Sequence, residues 1–384
     1  MNKKALILAP FFNLESSINR PRFIAEVLAH IVPVDVVTTN FNHLQKVRKK
    51  SIKFEVPYKV IYLNTLSYKD NKTITRFFSH ILFSLSAFMF FIKNRKDYNV
   101  VYVSVPFNLL AFLIFRFCNN KKIIDIIDIW PDVLPIPKNL NIFGYPFMWF
   151  WKLLFKKACA NADIMITVSE HFYQEGMKYF KKRGDNARCF YIGAPPLPEF
   201  QCKKEDILTI IYVGNIGYIY DFETLLDVLS DNIFVNKFQL FIVGDGDRKE
   251  WLLEELTKRK IKFKYFGVIY DSHMLGGILK SCHIGFNGYK RAVSATFSYK
   301  ASTYLSAGLP LLNSMQGDLY KLIKQNKLGY NYKSENYSNL KAIIKKIDEK
   351  QLNKFSRNCK NFFKTELESS VLKRRLLEFL RKNL

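Results

Sequence analysis

Short apolar stretches alternate with longer amphipathic ones from the start of the chain. Helical periodicity of apolar residues marks Pro21–Ile31 and Asn108–Cys118. Lys4–Pro10 has the continuous apolar pattern of a strand buried on both faces. Further strands are predicted at Val34–Thr38, Val100–Ser104 and Lys122–Asp128. Strands that alternate with helices in this way predict an α/β fold, with a parallel sheet covered by helices on both faces.

The same pattern starts again after Gly193–Lys204, a stretch with three prolines that predicts a linker. Four more strands alternate with helices beyond it: Leu208–Val213, Phe238–Val243, Lys262–Phe266 and Ile284–Asn287. The sequence therefore predicts two similar α/β domains, at residues 1–194 and 207–364, joined by a linker at 195–206. A basic helix at 365–384 ends the chain.

Two aromatic-rich stretches in the first half are candidates for contact with a membrane. Phe77–Ile92 is too short to span a bilayer, which takes about 20 residues, and it contains His80 and three serines. It predicts a helix that is buried or faces a membrane. Phe143–Phe155 is crowded with aromatic residues and precedes Lys156 and Lys157, a pattern that fits either a bilayer interface or a large core helix.

The stretch Ala295–Leu312 predicts a short helix with both ends marked. Ser298 is a favourable N-cap residue, and Gly308 suits the left-handed position that follows a helix. Lys300 would lie in the first turn, where the helix dipole disfavours a cation unless an anion is bound there. The sequence leaves open whether Lys300 binds a phosphate or points into solvent. It also leaves open whether Thr303, on the same face, contacts a sugar hydroxyl or is simply packed.

Glycine turns follow two strands of the second half, at Gly214–Gly217 and Gly244–Gly246. Gly217 and Gly244 would allow close approach of the backbone to a phosphate or a base, although many α/β turns use glycine for geometry alone.

Charged residues follow strand ends in the first half. Asp125, Asp128 and Asp132 surround a Trp-Pro pair and are candidates for a general base, a metal-ligand set, sugar-hydroxyl acceptors or a solvated turn. Arg20 and Arg22 open a helix and either bind an anion or carry surface charge.

The net charge of +26 over 384 residues favours anionic partners: nucleic acid, an anionic membrane or phosphorylated small molecules. Neither a helix-turn-helix spacing nor the aromatic pattern of an RNA-binding sheet is present, so nucleic acid is not expected. The six cysteines are scattered and the six histidines lack metal-site spacing. A zinc site and a disulfide framework are therefore not expected, and a reducing compartment fits.

Several short motifs in the chain resemble those of one enzyme family. They are D-I-I-D-I-W-P-D at Asp125–Asp132, N-A-D-I-M-I-T-V-S-E at Asn161–Glu170, the G-N-I-G turn at Tyr212–Gly217, V-G-D-G within Ile242–Gly246, and Y-L-S-A-G-L-P-L at Tyr304–Leu311. In this order they resemble the retaining GT-B glycosyltransferases of family 4, especially bacterial enzymes of capsule, O-antigen and exopolysaccharide assembly.

The resemblance implies two Rossmann-like domains facing a cleft, with the C-terminal helix crossing back to the N-terminal domain. It implies a nucleotide-sugar donor on the C-terminal domain, no metal or other cofactor, and a lipid-linked glycan acceptor at the inner face of the plasma membrane. On the donor side we predict Ser298, Lys300, Thr303, Gly217 and Gly244. We predict Asp128 as the catalytic residue, with Arg20, Arg22, Asp125 and Asp132 on the acceptor side.

The chain departs from the family pattern at several of its binding positions. Thr303 stands where the family has a Glu that holds donor hydroxyls, and Ala295 stands where its partner Glu would fall. Tyr218–Tyr220 replaces the Arg and Lys after the glycine turn, and Ile127 replaces a motif Arg. Three alternatives therefore stay open: a sugar-nucleotide epimerase of the same fold, a non-catalytic basic protein that binds nucleic acid or membrane, and a catalytically dead scaffold.

Overall fold

A computed structural model describes residues 4–14, 19–43, 46–49, 55–68, 74–129, 141–198, 202–234, 236–293 and 296–384. The chain forms two units, Met1–Tyr191 with Lys373–Leu384 and Ile192–Leu372, called here the N-terminal and C-terminal units. Each is built on a parallel sheet flanked by helices. The predicted α/β class with two Rossmann-like domains is confirmed.

The sheet of the N-terminal unit has seven strands in the order β5-β2-β1-β6-β7-β8-β9 within the described residues. Its strands are β1 Lys4–Leu8, β2 Val34–Thr39, β5 Lys59–Leu63, β6 Tyr98–Val105, β7 Lys121–Ile126, β8 Ile164–Thr167 and β9 Ala187–Cys189. The helices are α1 Arg20–Leu28, α2 Ile74–Asn94, α3 Asn108–Phe117, α4 Asn141–Asn161 and α5 Glu170–Met177. The central strands β1 and β6 are buried at all but one position each because helices cover both of their faces, which is why their sequences are mostly apolar.

A short antiparallel pair, β3 Phe41–Asn42 with β4 Val47–Arg48, follows β2. The apolar pattern did not predict this pair, because strands of two residues are too short to show a period.

The sheet of the C-terminal unit has six strands, in the order β12-β11-β10-β13-β14-β15 within the described residues. They are β10 Leu208–Val213, β11 Phe238–Val243, β12 Lys262–Tyr265, β13 Ile284–Asn287, β14 Leu311–Asn313 and β15 Gly329–Asn331. The helices are α6 Phe222–Leu229, α7 Lys249–Lys258, α8 Ser272–Ser281, α9 Tyr299–Ser306, α10 Asp318–Asn326, α11 Tyr337–Ile344 and α12 Glu349–Phe362. The strand order reverses between β10 and β13, and ligands of such sheets bind beyond the carboxyl ends of the strands near this point.

The end of the chain belongs to both units. A π-helical turn, Phe363–Leu367, connects α12 to the last helix, α13 Ser369–Asn383. Leu376, Phe379 and Leu380 are buried in the core of the N-terminal unit, and Lys373 forms an ion pair with Glu26 there. The C-terminal helix therefore returns to the N-terminal unit, as the resemblance implied.

Helix α2 is longer than the apolar run that predicted it. By length and composition alone, Thr75–Asp97 is the one helix among the described residues that could cross a membrane. One face of the helix packs into the core, where Phe83, Ala87 and Phe91 are at most 1% exposed. Its opposite face is exposed.

Candidate functional site

Helix α9 begins at a cap that a polar ladder holds in place. The Ser298 hydroxyl accepts a hydrogen bond from the backbone N–H of Ala301 (3.3 Å) and donates one to Asn287 Oδ1 (2.8 Å), so the predicted N-cap is confirmed. Asn287, Asn313 and Asn331 stand side by side at the carboxyl ends of β13, β14 and β15 and are linked by amide hydrogen bonds of 2.7 and 2.8 Å. Because the Ser298 hydroxyl has partners on both sides, it fixes where the helix starts.

Tyr304 ties the same helix to the sheet beneath it. Its buried hydroxyl accepts from the N–H of Val213 (2.9 Å) and donates to the carbonyl of Phe286 (3.2 Å). Gly308 follows the helix with φ of 71°, the left-handed conformation predicted for it. The Y-L-S-A-G-L-P-L motif thus positions the C-terminal end of α9, while Ser298 positions its start.

The Lys300 ammonium lies in a cage of three tyrosine rings, defined here as Tyr212, Tyr220 and Tyr289. Its Nζ is 3.4 Å from the ring centroid of Tyr220, 4.6 Å from that of Tyr212 and 4.8 Å from that of Tyr289. It also donates a hydrogen bond to the Tyr212 hydroxyl (3.3 Å). Ring faces attract a cation by about 0.5–2 kcal/mol each, so the cage holds the ammonium at the start of α9.

The charge of Lys300 has no carboxylate partner among the described residues. Burial lowers the pKa of Lys300 well below its ordinary value of 10.5, because the charged form loses water. Burial also raises the pKa of all three cage phenols, so the tyrosines are neutral at pH 7. An anion bound beside Lys300 would favour its charged form, and no carboxylate of the described residues would compete for that charge.

A second charged group lies next to the cage and was not predicted from the sequence. Glu223 Oε1 accepts from Arg248 (2.6 Å) and from Lys290 (3.0 Å), while its buried Oε2 has no hydrogen-bond partner among the described residues. Burial alone would raise the pKa of Glu223, but hydrogen bonds from its own backbone, Lys290 and Arg248 lower it. The Arg248 guanidinium lies 3.5 Å from the Trp251 ring centroid.

Beside Tyr289 lies a cavity of about 180 Å³ at the carboxyl ends of β13 and β14. Three cations, Lys290, Arg291 and Lys333, and two serine side chains are among the residues that line it. No carboxylate is among them. The cavity is a suitable place for an anionic ligand.

The two glycine turns meet each other. Gly244 has φ of 135°, and a Cβ there would lie 1.9 Å from the carbonyl oxygen of Gly214, so no other residue fits. Gly217 has an ordinary φ, and a Cβ would meet only the flexible Asn215 side chain, at 2.7 Å. Backbone packing by itself explains Gly244.

Thr303, predicted to contact the donor, lies on α9 with its side chain partly buried. Its hydroxyl donates to the carbonyl of Tyr299, four residues earlier (3.2 Å). This bond within the helix is common for threonine, and it uses the only hydroxyl hydrogen but leaves the oxygen free to accept.

In the N-terminal unit, Arg20 and Asp125 are brought together as a buried pair. Arg20 donates to both carboxylate oxygens of Asp125 (2.9 and 3.3 Å) and to the carbonyl of Phe190, and Tyr102 donates to Asp125 at 2.7 Å. Both charged side chains are at most 6% exposed. These hydrogen bonds within the fold are sufficient to explain why Arg20 and Asp125 stand at these positions.

The predicted acceptor-side residue Arg22 and the predicted catalytic residue Asp128 lie nearer the surface. Arg22 donates to Glu26 (3.0 Å) and to the carbonyl of Leu14 (2.7 Å). Asp128 is partly buried just beyond β7, where Oδ1 accepts from the N–H of Ile129 (3.0 Å). Burial lowers the pKa of Arg76 on α2, and the negative charge of Asp128 opposes that shift. Asp132 lies outside the described residues.

Two histidines that sequence reasoning did not select lie at the carboxyl ends of β1 and β6. The ring of Phe11 packs against His43 (4.5 Å between centroids), His80 (5.5 Å) and Phe107 (5.0 Å). Burial lowers the pKa of His43 to about 4 and that of His80 to about 3, so both are neutral at pH 7. The two histidines are distant in sequence and belong to no motif, so the sequence contains no pattern that predicts their proximity.

Comparison with known proteins agrees with this geometry. Residues 245–378 match the family described as "Glucosyltransferase 3-like, C-terminal domain". A search of curated proteins found no match. The matched domain confirms the predicted enzyme class, a glycosyltransferase.

Solved structures share the whole fold at low sequence identity. Sucrose-phosphate synthase from Thermosynechococcus elongatus has a TM-score of 0.73 and 13% identity, covering 99% of this chain and 98% of its own. Anabaena HepE in complex with UDP-glucose has a TM-score of 0.66 and 12% identity, covering 99% of both chains. WaaG, a glycosyltransferase involved in lipopolysaccharide biosynthesis, has a TM-score of 0.62 and 12% identity, covering 98% of both. These likenesses confirm the GT-B fold.

Proposed function

We propose that this chain transfers a sugar from a nucleoside-diphosphate sugar to a hydroxyl of a glycan or lipid-linked sugar. The observation that carries the proposal is the caged Lys300 at the start of α9, a lysine with no carboxylate partner among the described residues. Free N–H groups of the first helical turn and the ammonium would together hold the diphosphate and balance its charge as it departs. The proposal includes no metal.

The donor in this proposal is a UDP-sugar, with UDP-glucose tested first. HepE was solved with UDP and with UDP-glucose, and the matched domain is described as glucosyltransferase-like. The cationic cavity beside Tyr289 supports an anionic donor on the C-terminal unit.

The acceptor side of the proposal rests on the N-terminal unit and on the family resemblance. We place Asp128 there to orient the acceptor or the transferred sugar, and we expect retention of anomeric configuration. A role in surface-polysaccharide synthesis, at the cytoplasmic face of the plasma membrane, is part of the same proposal. The net positive charge of the chain is consistent with a location at an anionic membrane surface.

A donor screen tests the proposal. Purified protein is incubated with UDP-, GDP- and dTDP-sugars, with and without a lipid-linked glycan acceptor, and nucleotide release is measured. We expect release from one donor that depends on the acceptor. An epimerised sugar nucleotide formed without acceptor would identify an epimerase instead, and the lack of any donor binding would contradict the proposal.

Tyr220 provides a sharper test of the cage. Tyr220→Phe keeps the ring face against Lys300, so we expect the KM for donor to stay within about twofold of wild type. Tyr220→Leu removes the ring, and the KM should rise by about tenfold, as expected for the loss of roughly 1.4 kcal/mol of cation–π attraction. Equal KM values for Phe and Leu would show that the ring does not hold the ammonium.

A further inference from the structure

The N-terminal unit carries an exposed apolar stripe along α2. Phe78, Leu82, Leu85 and Met89 are 54%, 39%, 47% and 66% exposed. Their spacing of four, three and four residues places them on one face of the helix, opposite the buried Phe83, Ala87 and Phe91. This face has the apolar character of a core helix but meets solvent.

Neighbouring helices extend the exposed apolar surface. Helix α3 packs against α2 and against α4. Phe117 at the end of α3 is 48% exposed, with its ring 5.4 Å from that of Phe88 on α2. Trp149 and Phe150 on α4 are 67% and 47% exposed. We call these residues of α2, α3 and α4 the apolar surface.

The charges on these helices have a single sign. None of α2, α3 and α4 contains Asp or Glu. Exposed cations occupy the helix ends or the outer face: Lys93 near the end of α2, Arg95 and Lys96 in the turn Arg95–Asp97 that follows it, Arg116 on α3, and Lys157 on α4. That turn also carries one exposed acid, Asp97. Aromatic and aliphatic side chains beside an excess of cations match the headgroup region of an anionic bilayer.

We propose that the apolar surface of α2, α3 and α4 docks onto an anionic lipid bilayer, with the helices lying at the interface. A spanning arrangement of α2 does not fit, because its other face is buried in the core beside Ser79, His80 and Ser84. The cations would reach phosphate headgroups while Trp149 and the α2 stripe enter the acyl boundary. The inference does not need the proposed transfer reaction, because vesicle binding is measured without donor.

Co-sedimentation with vesicles tests the inference. We expect the purified protein to sediment with phosphatidylcholine vesicles that contain phosphatidylglycerol, and much less with phosphatidylcholine alone. Met89→Glu should lower this binding by at least tenfold. The matched control is Met274→Glu, a methionine on α8 of the C-terminal unit that is 55% exposed, and it should bind as wild type does. Equal binding by Met89→Glu and wild type would overturn the proposal.

The charged part of the surface gives an independent readout. The variant with Lys93, Arg95 and Lys96 changed to Gln should bind anionic vesicles at least tenfold more weakly, with a smaller dependence on salt. Unchanged binding and salt dependence would overturn the proposal. Two further results would also overturn the proposal. The first is retention of the protein in membranes after extraction with alkaline carbonate, which indicates a spanning helix. The second is a dimer in solution that Met89→Glu dissociates, together with no binding of the wild-type protein to vesicles.

Discussion

Replacing Lys300 with Ala is expected to lower kcat/KM for the donor by about 10²–10³-fold. Groups aimed at developing charge on a leaving group contribute on this scale when they are preorganised and shielded from water. The cage supplies that preorganisation, since three ring faces hold the ammonium before any donor binds. Nucleotide release under steady-state conditions measures the effect.

Matched variants separate this role from folding. Lys321 on α10 is an exposed lysine of the same unit, and Lys321→Ala should leave kcat/KM unchanged. Lys300→Met keeps the aliphatic stem and removes a buried charge, so its melting temperature should equal or exceed that of wild type. A Lys300→Ala protein that keeps wild-type turnover would rule out the assignment.

The lowered pKa of Lys300 predicts how donor affinity changes with pH. Above that pKa the free protein holds a neutral amine, and binding a diphosphate must take up one proton to restore the cation. Donor affinity should therefore fall as pH rises above the lowered pKa, by about tenfold per pH unit, until the pH reaches the higher pKa that Lys300 has beside the bound diphosphate. Lys300→Met should remove this pH dependence of donor affinity and leave only the part that comes from other titratable groups.

Local signals in the sequence predicted the start and end of α9. Ser298 as the N-cap and Gly308 as the left-handed residue depend on neighbours within a few positions, so the chain itself carries that information. The buried parallel strands were predicted for the same reason, because continuous apolar runs report burial on both faces. Residues 318–347, with α10, β15 and α11, were not assigned, although α10 has a clear helical period that could have predicted it.

The surroundings of Lys300 could not be predicted in this way. Tyr212, Tyr220 and Tyr289 come from the carboxyl ends of β10 and β13, and only the strand order β10-β13 brings them together. The sequence did show Tyr218–Tyr220 where the resembling family has cations, and we interpreted that as a loss. The structure shows that Tyr220 contributes a ring face to Lys300 instead.

The asparagine ladder illustrates a signal that was present and overlooked. Three successive strands each end in Asn, at positions 287, 313 and 331. Parallel strands of one sheet end at the same edge, so these amides could have been expected to meet. Their hydrogen bonds reach Ser298, which links the edge of the sheet to the start of α9.

Removing one partner of the Arg20–Asp125 pair is expected to have the largest effect on stability. Asp125→Ala leaves the guanidinium of Arg20 buried without its carboxylate and takes the acceptor from Tyr102. Breaking a buried pair in this way costs about 3–5 kcal/mol, which corresponds to a fall in melting temperature on the order of 10 °C for a unit of this size. Thermal and urea unfolding measure it.

A double variant and a variant of a neighbouring arginine serve as controls for this test. Arg20→Met with Asp125→Leu removes both charges, so it should recover most of the stability lost in Asp125→Ala. Arg22→Gln breaks the partly exposed pair with Glu26 and the hydrogen bond to the carbonyl of Leu14, and it should cost much less than Asp125→Ala. If Asp125→Ala folds as stably as wild type but loses acceptor turnover, the pair serves the acceptor, as predicted from the sequence. If stability falls and turnover per folded molecule is kept, the pair holds α1 against β7, and the acceptor contacts must come from elsewhere on that unit.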